Sequence, residues 1–275
     1  MSFPTWVAPL HSGDAVYAPA PVSMPPMLPP EALHTLEREG WLFVRQFIDE
    51  AFVRELREAS MVLEASAATF ERDTVVLGVG YEMQSATGRR GERAVSPGAL
   101  RKIAFPSKGQ PVFANLRRDR HLLHALAQLG LDAPKCLVDQ INFKLPRFGT
   151  GFPFHQDAHF VVGATQGRLE RHGGLNLVIA LDEADAGNGG FEVLGRTHTS
   201  GLKEFPYDPA SMNEGIFDES HRTLVPMQPG DAVLFHPLLA HGSGPNRSDR
   251  SRRLITLWFR GGGPALIKAP ASARP

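Results

Sequence analysis

Phe154-His155-Gln156-Asp157-Ala158 is the stretch of this chain that carries the most structural information. Two ring nitrogens and one carboxylate form a ligand set that holds Fe(II) on one face and leaves the other face open. On an extended strand, residues two apart point to the same side, about 6.6 Å apart along the backbone. We therefore expect His155 and Asp157 to lie on a strand and to converge on one metal ion.

A second histidine follows a patterned stretch in the last third of the chain. Gly230-Asp231 is typical of a turn, and Ala232–Phe235 is typical of a buried strand that leads towards His241. Arg252 then opens the apolar strand Leu254–Phe259. A lone charge in such a strand needs a partner. A small dicarboxylate suits it, because a guanidinium can grip a carboxylate through two parallel hydrogen bonds.

The composition argues against several classes of protein. The 275 residues have a formal net charge of zero and show no basic stripe, so neither nucleic acid nor an anionic membrane is an expected partner. Cys136 is the only cysteine, which excludes an internal disulfide and fits a reducing compartment. No apolar run approaches a membrane span, and the start of the chain lacks a secretion signal. We expect a cytoplasmic protein with a small-molecule partner; its oligomeric state is not predicted.

The composition and the hydrophobic pattern change along the chain. Residues 1–30 contain eight prolines and are expected to form an extended leader, and residues 31–275 a single domain that begins with helices. The elements expected before Lys135 are a helix from Glu31 to Gly40, a strand at Trp41–Val44, a helix capped by Asp49, a loop or hairpin region over 71–110, and a helix at Leu122–Leu129.

From Lys135 onward, short apolar or alternating runs are separated by glycine, proline, asparagine and aspartate. This pattern is typical of an antiparallel β-sandwich or jelly roll. The runs are Cys136–Lys144, Leu175–Leu181, Gly190–Leu194, Ala232–Phe235 and Leu254–Phe259. The predicted fold class is mainly β, with flanking helices that buttress the sheet.

Several segments of the chain resemble the phytanoyl-CoA dioxygenase family of Fe(II)/2-oxoglutarate oxygenases. The segments are Glu39–Val44, Phe143–Pro146, His155–Phe160, Asn188–Leu194 and Gly230–Asn246, followed by Arg252. The resemblance covers roughly residues 31–262 and implies a double-stranded β-helix core, a jelly roll of the cupin type.

The resemblance also implies an activity. The chain would be a non-haem Fe(II)-dependent dioxygenase that hydroxylates a small organic metabolite, with 2-oxoglutarate and O₂ as cosubstrates and succinate and CO₂ as products. Two alternatives stay open: an oxygenase of the same fold that desaturates, epoxidises or cyclises its substrate, and a non-catalytic jelly-roll protein that binds a small molecule.

Roles for individual residues follow from the same resemblance. His155, Asp157 and His241 correspond to the iron ligands, and Arg252 corresponds to the arginine that binds the distal carboxylate of 2-oxoglutarate. Ser243 and Lys144 are expected beside the cosubstrate. The family often has Leu-Pro-Gly-Ser/Thr-His where this chain has Leu194–His198, and a tryptophan where this chain has Val178.

The remaining polar residues are weighed by their surroundings. Asn176 and Gln140 interrupt apolar strands, so each either satisfies the backbone or lines the cosubstrate pocket. His159 is expected not to bind metal, and either lines the substrate side of the pocket or has a plain structural role. Phe160 is expected on the substrate side of the pocket. Arg253 is expected on the opposite face of its strand from Arg252, in solvent. The segments 71–110 and 200–222 are the expected lids, since loops usually carry specificity.

Overall fold

The computed structural model describes residues 28–85, 95–160, 174–205 and 211–262. The predicted leader over residues 1–30 therefore lies outside the described residues except for its last three. Within the described part of the chain, no helix combines the length and the apolar character needed to cross a membrane.

Four α-helices and twelve strands make up the regular structure of the described residues. The helices are α1 Ala32–Glu39, α2 Glu50–Ala67, α3 Pro111–Leu116 and α4 Arg120–Gln128. The strands are β1 Trp41–Val44, β2 Thr74–Val76, β3 Val79–Ser85, β4 Val95–Ala104, β5 Asp132–Lys144, β6 Phe152–His155, β7 Gly174–Ala180, β8 Phe191–Leu194, β9 Arg222–Val225, β10 Ala232–Phe235, β11 Ala240–Ser243 and β12 Arg252–Gly262. Short 3₁₀ turns lie at Pro106–Lys108, Asp157–Phe160 and Thr197–Ser200.

The strands form two antiparallel sheets. The large sheet has the order β1-β10-β7-β12-β5-β4-β3-β2, and the small sheet has the order β6-β11-β8-β9. β2, β3, β4 and β5 pair in chain order, whereas pairs such as β1 with β10 and β6 with β11 join strands distant in sequence, as in a jelly roll. The predicted mainly β fold with a double-stranded β-helix core is confirmed.

Alternation along the strands divides the core in two. On β12, Leu254 faces an apolar cluster between the sheets, which also contains Phe191 of β8 and Val233 of β10. Ile255, the next residue, faces the other way into the cluster under the helices, together with Leu56 of α2. The helices thus cover the outer face of the large sheet, as the sequence predicted.

The helix boundaries have local causes. Asp49 caps α2, its side chain accepting a hydrogen bond from the Phe52 N–H at 2.8 Å. Asp119 caps α4 in the same way, so that helix starts at Arg120, two residues before its predicted start. The first helix ends at Gly40, whose φ of +81° is the left-handed conformation that glycine adopts without strain.

The segment 71–110 was predicted to be a loop or hairpin region. It contains strands β2, β3 and β4, which extend the large sheet beyond β5, while residues 86–94 lie outside the described part. Tyr81 and Met83 alternate into the core from β3, so this segment is a packed part of the sheet.

Arg253 departs from its predicted environment. It lies on the opposite face of β12 from Arg252, as expected, but its side chain is only 14% exposed. Its guanidinium is paired with Asp182 at 2.8 Å and with Glu64 at 3.0 Å. The prediction of a solvent position was wrong, because α2 covers that face of the sheet.

Candidate metal and cosubstrate site

The three expected metal ligands meet where two strands of the small sheet pair. His155, the last residue of β6, lies directly opposite His241 in β11. Asp157 is not on the strand, as its spacing from His155 suggested, but begins the 3₁₀ turn that follows β6. The strand assumption was wrong because β6 ends at His155, and the turn brings the carboxylate back towards both imidazoles.

Gln156, between the expected histidine and aspartate ligands, points away from them and holds the turn in place. Its Nε2 donates to the carbonyl oxygens of Gly201 at 2.8 Å and Leu238 at 2.7 Å, and its Oε1 accepts from the Lys203 N–H at 2.8 Å. The residue is fully buried, so every polar atom of its amide needs such a partner. The predicted lid 200–222 is therefore tied to this turn at its start.

The ligand atoms face one another. Nε2 of His155 lies 3.4 Å and Nε2 of His241 lies 3.6 Å from Oδ1 of Asp157, and the three atoms are all within 4.8 Å of one another. Each imidazole Nδ1 is hydrogen-bonded to a main-chain carbonyl, that of Pro153 at 2.8 Å or Leu239 at 3.0 Å. A carbonyl only accepts, so Nδ1 carries the hydrogen and Nε2 presents its lone pair to a metal.

Electrostatics favour the protonation states that bind a cation. Burial, reinforced by the nearby His155, lowers the pKa of His241 to about 4, so its ring is neutral near pH 7. Burial acts to raise the pKa of Asp157, but the neighbouring His241 and His155 and the hydrogen bond from Asn176 outweigh it and lower that pKa. Neutral imidazoles and an ionised carboxylate are what a divalent metal requires.

Asn176 holds the carboxylate from behind. Its Nδ2 donates to Oδ2 of Asp157 at 2.6 Å, and the side chain is 2% exposed on β7. From the sequence, this amide was expected either to hydrogen-bond with the backbone or to line the cosubstrate pocket. Its partner is instead the expected metal ligand, and Oδ1 of Asp157 is left to face the imidazoles.

A cavity of about 110 Å³ opens beside the three side chains. Its walls contain the two histidines, Asp157 and Arg252. The other lining residues are Gln84, Arg101, Gln140, Asn142, Phe143, Lys144, Thr150, Gly151, Phe152, Val178, Phe191, Gly242, Ser243, Leu254 and Thr256. Ser243 and Gln140 thus lie where a cosubstrate role requires them, and that role stays a prediction.

Arg252 is a buried cation with spare hydrogen-bonding capacity. Only 2% of the residue is exposed, and Nη2 donates to the Gly189 carbonyl at 2.7 Å. Its Nε is buried and has no hydrogen-bond partner among the described residues. Burial lowers the pKa of this guanidinium to about 9. A buried donor without an acceptor is costly, and a ligand carboxylate in the cavity would remove that cost.

Gly189 brings the backbone close enough to make that contact. Its φ is +76°, and a Cβ added there would lie 2.5 Å from the Gly244 carbonyl oxygen. Only glycine fits both the left-handed conformation and this close approach. Asn188 supports the turn, its Oδ1 accepting from the Asp185 N–H at 2.8 Å and its Nδ2 donating to the Glu183 carbonyl at 2.7 Å.

Lys144, opposite Arg252 on β5, is engaged by the main chain. Its Nζ donates to the carbonyl oxygens of Thr150 at 2.9 Å and Gly244 at 2.7 Å, with that of Ser243 at 3.5 Å. Burial, with the charge of Arg252, lowers the pKa of this amine. Three surrounding carbonyl oxygens still favour an ammonium, which has three N–H donors. Lys144 thus joins the ends of β5 and β11.

His159 and Phe160 lie in the turn after the ligands and are not among the residues that line the cavity. His159 packs against Phe205, with ring centroids 4.4 Å apart, and Phe160 packs against His155 at 5.5 Å. The substrate role expected for the two residues stays a prediction, with its structural basis in the Phe160 contact to an expected ligand.

Two histidines outside the site have structural roles. His236 is buried, and its Nδ1 accepts the Leu238 N–H at 2.9 Å. His198 lies against the end of α1, where a Cβ on Gly40 would meet its Nδ1 at 2.4 Å.

Sequence reasoning missed five polar residues in the cavity wall: Gln84, Arg101, Asn142, Thr150 and Thr256. Asn142 lies between Gln140 and Lys144 on β5, so strict alternation along the strand could have placed it on the same face. The first two come from β3 and β4, and nothing local in the chain indicates that these strands reach the site.

The donor set, the tautomers and the buried guanidinium all fit Fe(II) with a dicarboxylate. A family model described as phytanoyl-CoA dioxygenase (PhyH) matches residues 36–254. The chain belongs to the phytanoyl-CoA dioxygenase family. The match includes His155, Asp157, His241 and Arg252, which confirms the resemblance found in the sequence.

This member of the phytanoyl-CoA dioxygenase family has curated relatives of moderate similarity. It is 35% identical over 146 residues to phytanoyl-CoA dioxygenase domain-containing protein 1 of Bos taurus, covering 50% of this chain and 48% of that protein. It is 32% identical over 240 residues to peroxisomal phytanoyl-CoA dioxygenase of Bos taurus, covering 81% of this chain and 66% of that protein. The chain thus spans about half of the first relative and two thirds of the second.

Solved structures share the fold of this phytanoyl-CoA dioxygenase family member. The non-heme alpha ketoglutarate dependent carbocyclase SnoK from nogalamycin biosynthesis superposes with a TM-score of 0.64 at 19% identity, covering 88% of this chain and 87% of that one. EvdO2 from Micromonospora carbonacea var. aurantiaca, complexed with 2-oxoglutarate, gives 0.61 at 22% identity, covering 92% and 97%. At these identities the likeness establishes the fold.

Proposed function

We propose that this protein is a non-haem Fe(II)/2-oxoglutarate-dependent dioxygenase that hydroxylates a small organic metabolite. Family membership supports the reaction class. The observation that carries the proposal is the cavity shared by three convergent ligand atoms and a buried guanidinium that lacks a partner for Nε. The proposal includes a single oxygenase domain over residues 31–275, preceded by a leader over residues 1–30.

His155, Asp157 and His241 would hold the iron through Nε2, Oδ1 and Nε2. When bound, Fe(II) and 2-oxoglutarate supply the oxidising chemistry, in which O₂ is consumed, succinate and CO₂ are released, and one oxygen atom enters a substrate C–H bond. The carbonyls of Pro153 and Leu239 orient the two imidazoles before any metal arrives. Preorganised ligands of this kind need no rearrangement when the metal binds.

Arg252 would bind the distal carboxylate of 2-oxoglutarate, with Ser243 and Gln140 at the same cavity wall. The negative charge would compensate the buried guanidinium and accept a hydrogen from Nε. Val178, Phe191 and Leu254 line the cavity with apolar surface and exclude water, which strengthens the charge pairing.

A cytoplasmic location and a small-molecule substrate are part of the proposal. They are supported by the zero net charge, the lone cysteine and the size of the cavity. The same features give no support for a nucleic-acid or membrane partner. A non-catalytic binding protein would have no need for two Nε2 lone pairs that face the Asp157 carboxylate. The catalytic assignment therefore accounts for more of the structure.

Anaerobic titration of the purified protein with Fe(II) and then 2-oxoglutarate tests this assignment. Wild type is expected to bind both and to develop a weak visible absorption band. In air it is expected to release succinate. Asp157→Ala is expected to lose iron binding, the band and succinate release together. Wild type that binds 2-oxoglutarate without iron, or releases no succinate with any metabolite offered, would instead favour a binding protein.

A further inference from the structure

The segment Ser211–Phe217 covers one edge of the strand that ends in His155. That strand, β6, lies at the edge of the small sheet, beside β11. On its other side, the Phe154 N–H donates to the Met212 carbonyl at 3.0 Å, and Asn213 Nδ2 donates to the Phe154 carbonyl at 3.0 Å. Both main-chain polar groups of the residue before His155 are therefore hydrogen-bonded to this segment.

Strand β6 depends on these contacts because its own pairing is short and irregular. It pairs with β11 at Phe152 and at His155, and the register shifts between the two. Pro153 has no N–H to donate. Phe154 lies between the two paired positions, so the ladder with β11 is a weak constraint on the residue that precedes the expected ligand.

The orientation of the His155 ring depends on the peptide groups around Phe154. His155 Nδ1 is hydrogen-bonded to the Pro153 carbonyl at 2.8 Å, so the ring is aimed by the main chain on both sides of Phe154. If Phe154 turned, the Pro153 carbonyl and the His155 ring would move relative to each other. Nε2 would then leave the position in which it faces Oδ1 of Asp157 at 3.4 Å.

Asn213 occupies its place at a conformational cost. It is 1% exposed, and its φ is +53°, next to Met212 with a φ of +56°. Left-handed conformations are uncommon for residues other than glycine, although asparagine adopts them more readily than most. Such strain persists where surrounding contacts require it, and it clusters at functional sites. Here the two residues in this conformation are the two that hydrogen-bond to Phe154.

The same segment reaches the wall of the cavity from outside. Gly151 lines the cavity, and a Cβ added to it would lie 2.5 Å from Met212 Sδ. The glycine therefore lets the Met212 side chain pack directly against the loop between β5 and β6. A shift of this segment would be felt both at β6 and at the cavity wall.

Apolar packing holds the segment in place without aiming the strand. Phe217 is 5% exposed and belongs to a small apolar cluster with Phe154, Leu194 and Ala240. Apolar burial is non-directional, whereas a hydrogen bond to the main chain depends on the orientation of the peptide group. Substitutions can therefore separate the two contributions.

We propose that Asn213 is a positioning residue for the metal site, which fixes the main chain at Phe154 and so aims His155 Nε2 at the metal. This inference rests on the function proposed above and adds to it a residue outside the cavity lining. Asn213 acts on the affinity and the coordination geometry of the bound metal, while the chemistry stays with the iron site.

The test compares Asn213→Gly with wild type in the full-length protein. Glycine adopts the left-handed conformation without strain, so this variant removes the Nδ2 donor and lets the backbone keep its path. Calorimetry under anaerobic conditions measures Fe(II) affinity, and the absorption spectrum of the Co(II)-substituted protein reports coordination geometry. We expect Fe(II) affinity to fall about tenfold and the Co(II) spectrum to change.

A second variant at this position and a matched control make the test specific. Asn213→Ser, whose side chain is one bond shorter, should show the same loss of affinity and the same spectral change. Phe217→Leu weakens the packing of the segment but leaves both hydrogen bonds to Phe154 in place. It should lower the free energy of unfolding, measured with urea, yet change Fe(II) affinity less than about twofold and leave the Co(II) spectrum unchanged.

Wild-type Fe(II) affinity and an unchanged Co(II) spectrum in the folded Asn213 variants would overturn the inference. An equal loss of affinity in Phe217→Leu would also overturn it, because the effect would then belong to general loosening of the segment. Wild type that binds no Fe(II) would contradict the proposed function itself. Wild type that binds Fe(II) no better than Asn213→Gly would leave that function standing and refute only the role of Asn213.

Discussion

His155 and His241 face each other across antiparallel strands β6 and β11, and each ring is fixed by a hydrogen bond to the carbonyl two residues before it in the chain. The same local arrangement thus occurs twice, once on each strand. Both Nε2 atoms are aimed by main-chain geometry, and only Asp157 depends on a side chain for its orientation.

That dependence predicts the effect of changing Asn176. Asn176→Ala should lower the affinity for Fe(II) about 10- to 100-fold, because the carboxylate of Asp157 loses the donor that orients it. Metal titration followed by calorimetry measures this change. Asn142→Ala is the control, since that amide also lies in the large sheet but bonds to Thr256 Oγ1 at 2.9 Å. Equal losses in the two variants would assign the effect to general destabilisation.

Substitutions of the two adjacent arginines on β12 should affect different properties, 2-oxoglutarate affinity in one case and the free energy of unfolding in the other. Arg252→Lys is expected to weaken 2-oxoglutarate binding about 10- to 100-fold, because a lysine lacks the planar fork that grips a carboxylate. Arg253→Lys should lower the free energy of unfolding through its contacts with Asp182 and Glu64, yet leave 2-oxoglutarate affinity unchanged. Calorimetry and urea unfolding on both variants decide, and unchanged 2-oxoglutarate affinity in Arg252→Lys would contradict the assignment.

Gly189 and Gly215 have the same left-handed backbone conformation, but only Gly189 lies close to other backbone atoms. Alanine substitutions at the two positions therefore separate the cost of this close approach from the cost of the conformation. Gly215 has a φ of +79° and nothing within 4 Å of an added Cβ, so Gly215→Ala should cost about 1 to 2 kcal/mol of unfolding free energy. Gly189→Ala adds a collision with the Gly244 carbonyl and should cost about 1 to 3 kcal/mol more. It should also weaken 2-oxoglutarate binding, because the Gly189 carbonyl is an acceptor for Arg252. Equal costs for the two variants would show that the backbone yields at Gly189.

Acid should destabilise the protein through buried histidines. Burial, with the nearby His198, lowers the pKa of His236 to about 3 from an ordinary value of 6.5. Between these values the unfolded chain binds a proton that the folded protein does not, so stability is lost as pH falls from 6.5 towards 3, at up to about 1.4 kcal/mol per pH unit.

His236→Gln should remove the proton that the unfolded chain binds at this position and the folded protein does not. Urea unfolding between pH 7 and pH 5 should show a shallower pH dependence for the variant than for wild type, even if the variant is less stable at pH 7. Parallel curves would mean that His236 does not titrate as its burial requires.

The sequence indicated which side chains meet at the cavity because these residues lie beside strongly marked elements. Gly230-Asp231 and the apolar strand β10 locate His241, and the opening of β12 locates Arg252. The local geometry around Asp157 could not be predicted, since the turn is held by Gln156 through partners some 45 to 82 residues away. Non-local contacts of this kind leave no periodic signal in the chain.

The same limit applies to the walls of the cavity. Arg101 belongs to a segment rich in glycine, arginine and serine, which sequence reasoning treated as a loop or hairpin region. Only the pairing of β4 with β5 brings that segment to the site. The partners of Lys144 were also beyond reach, because the carbonyls of Thr150 and Gly244 converge on its amine only after two separate loops have folded.

The enclosed ammonium of Lys144 makes this residue a natural reporter of opening of the fold. An ammonium that is held by main-chain carbonyls has no lone pair with which to attack an amine-directed acylating reagent, and only 7% of the residue is exposed. Modification at Lys144 would therefore mark only those molecules in which β5 and β11 have come apart, and its rate would follow the frequency of that separation.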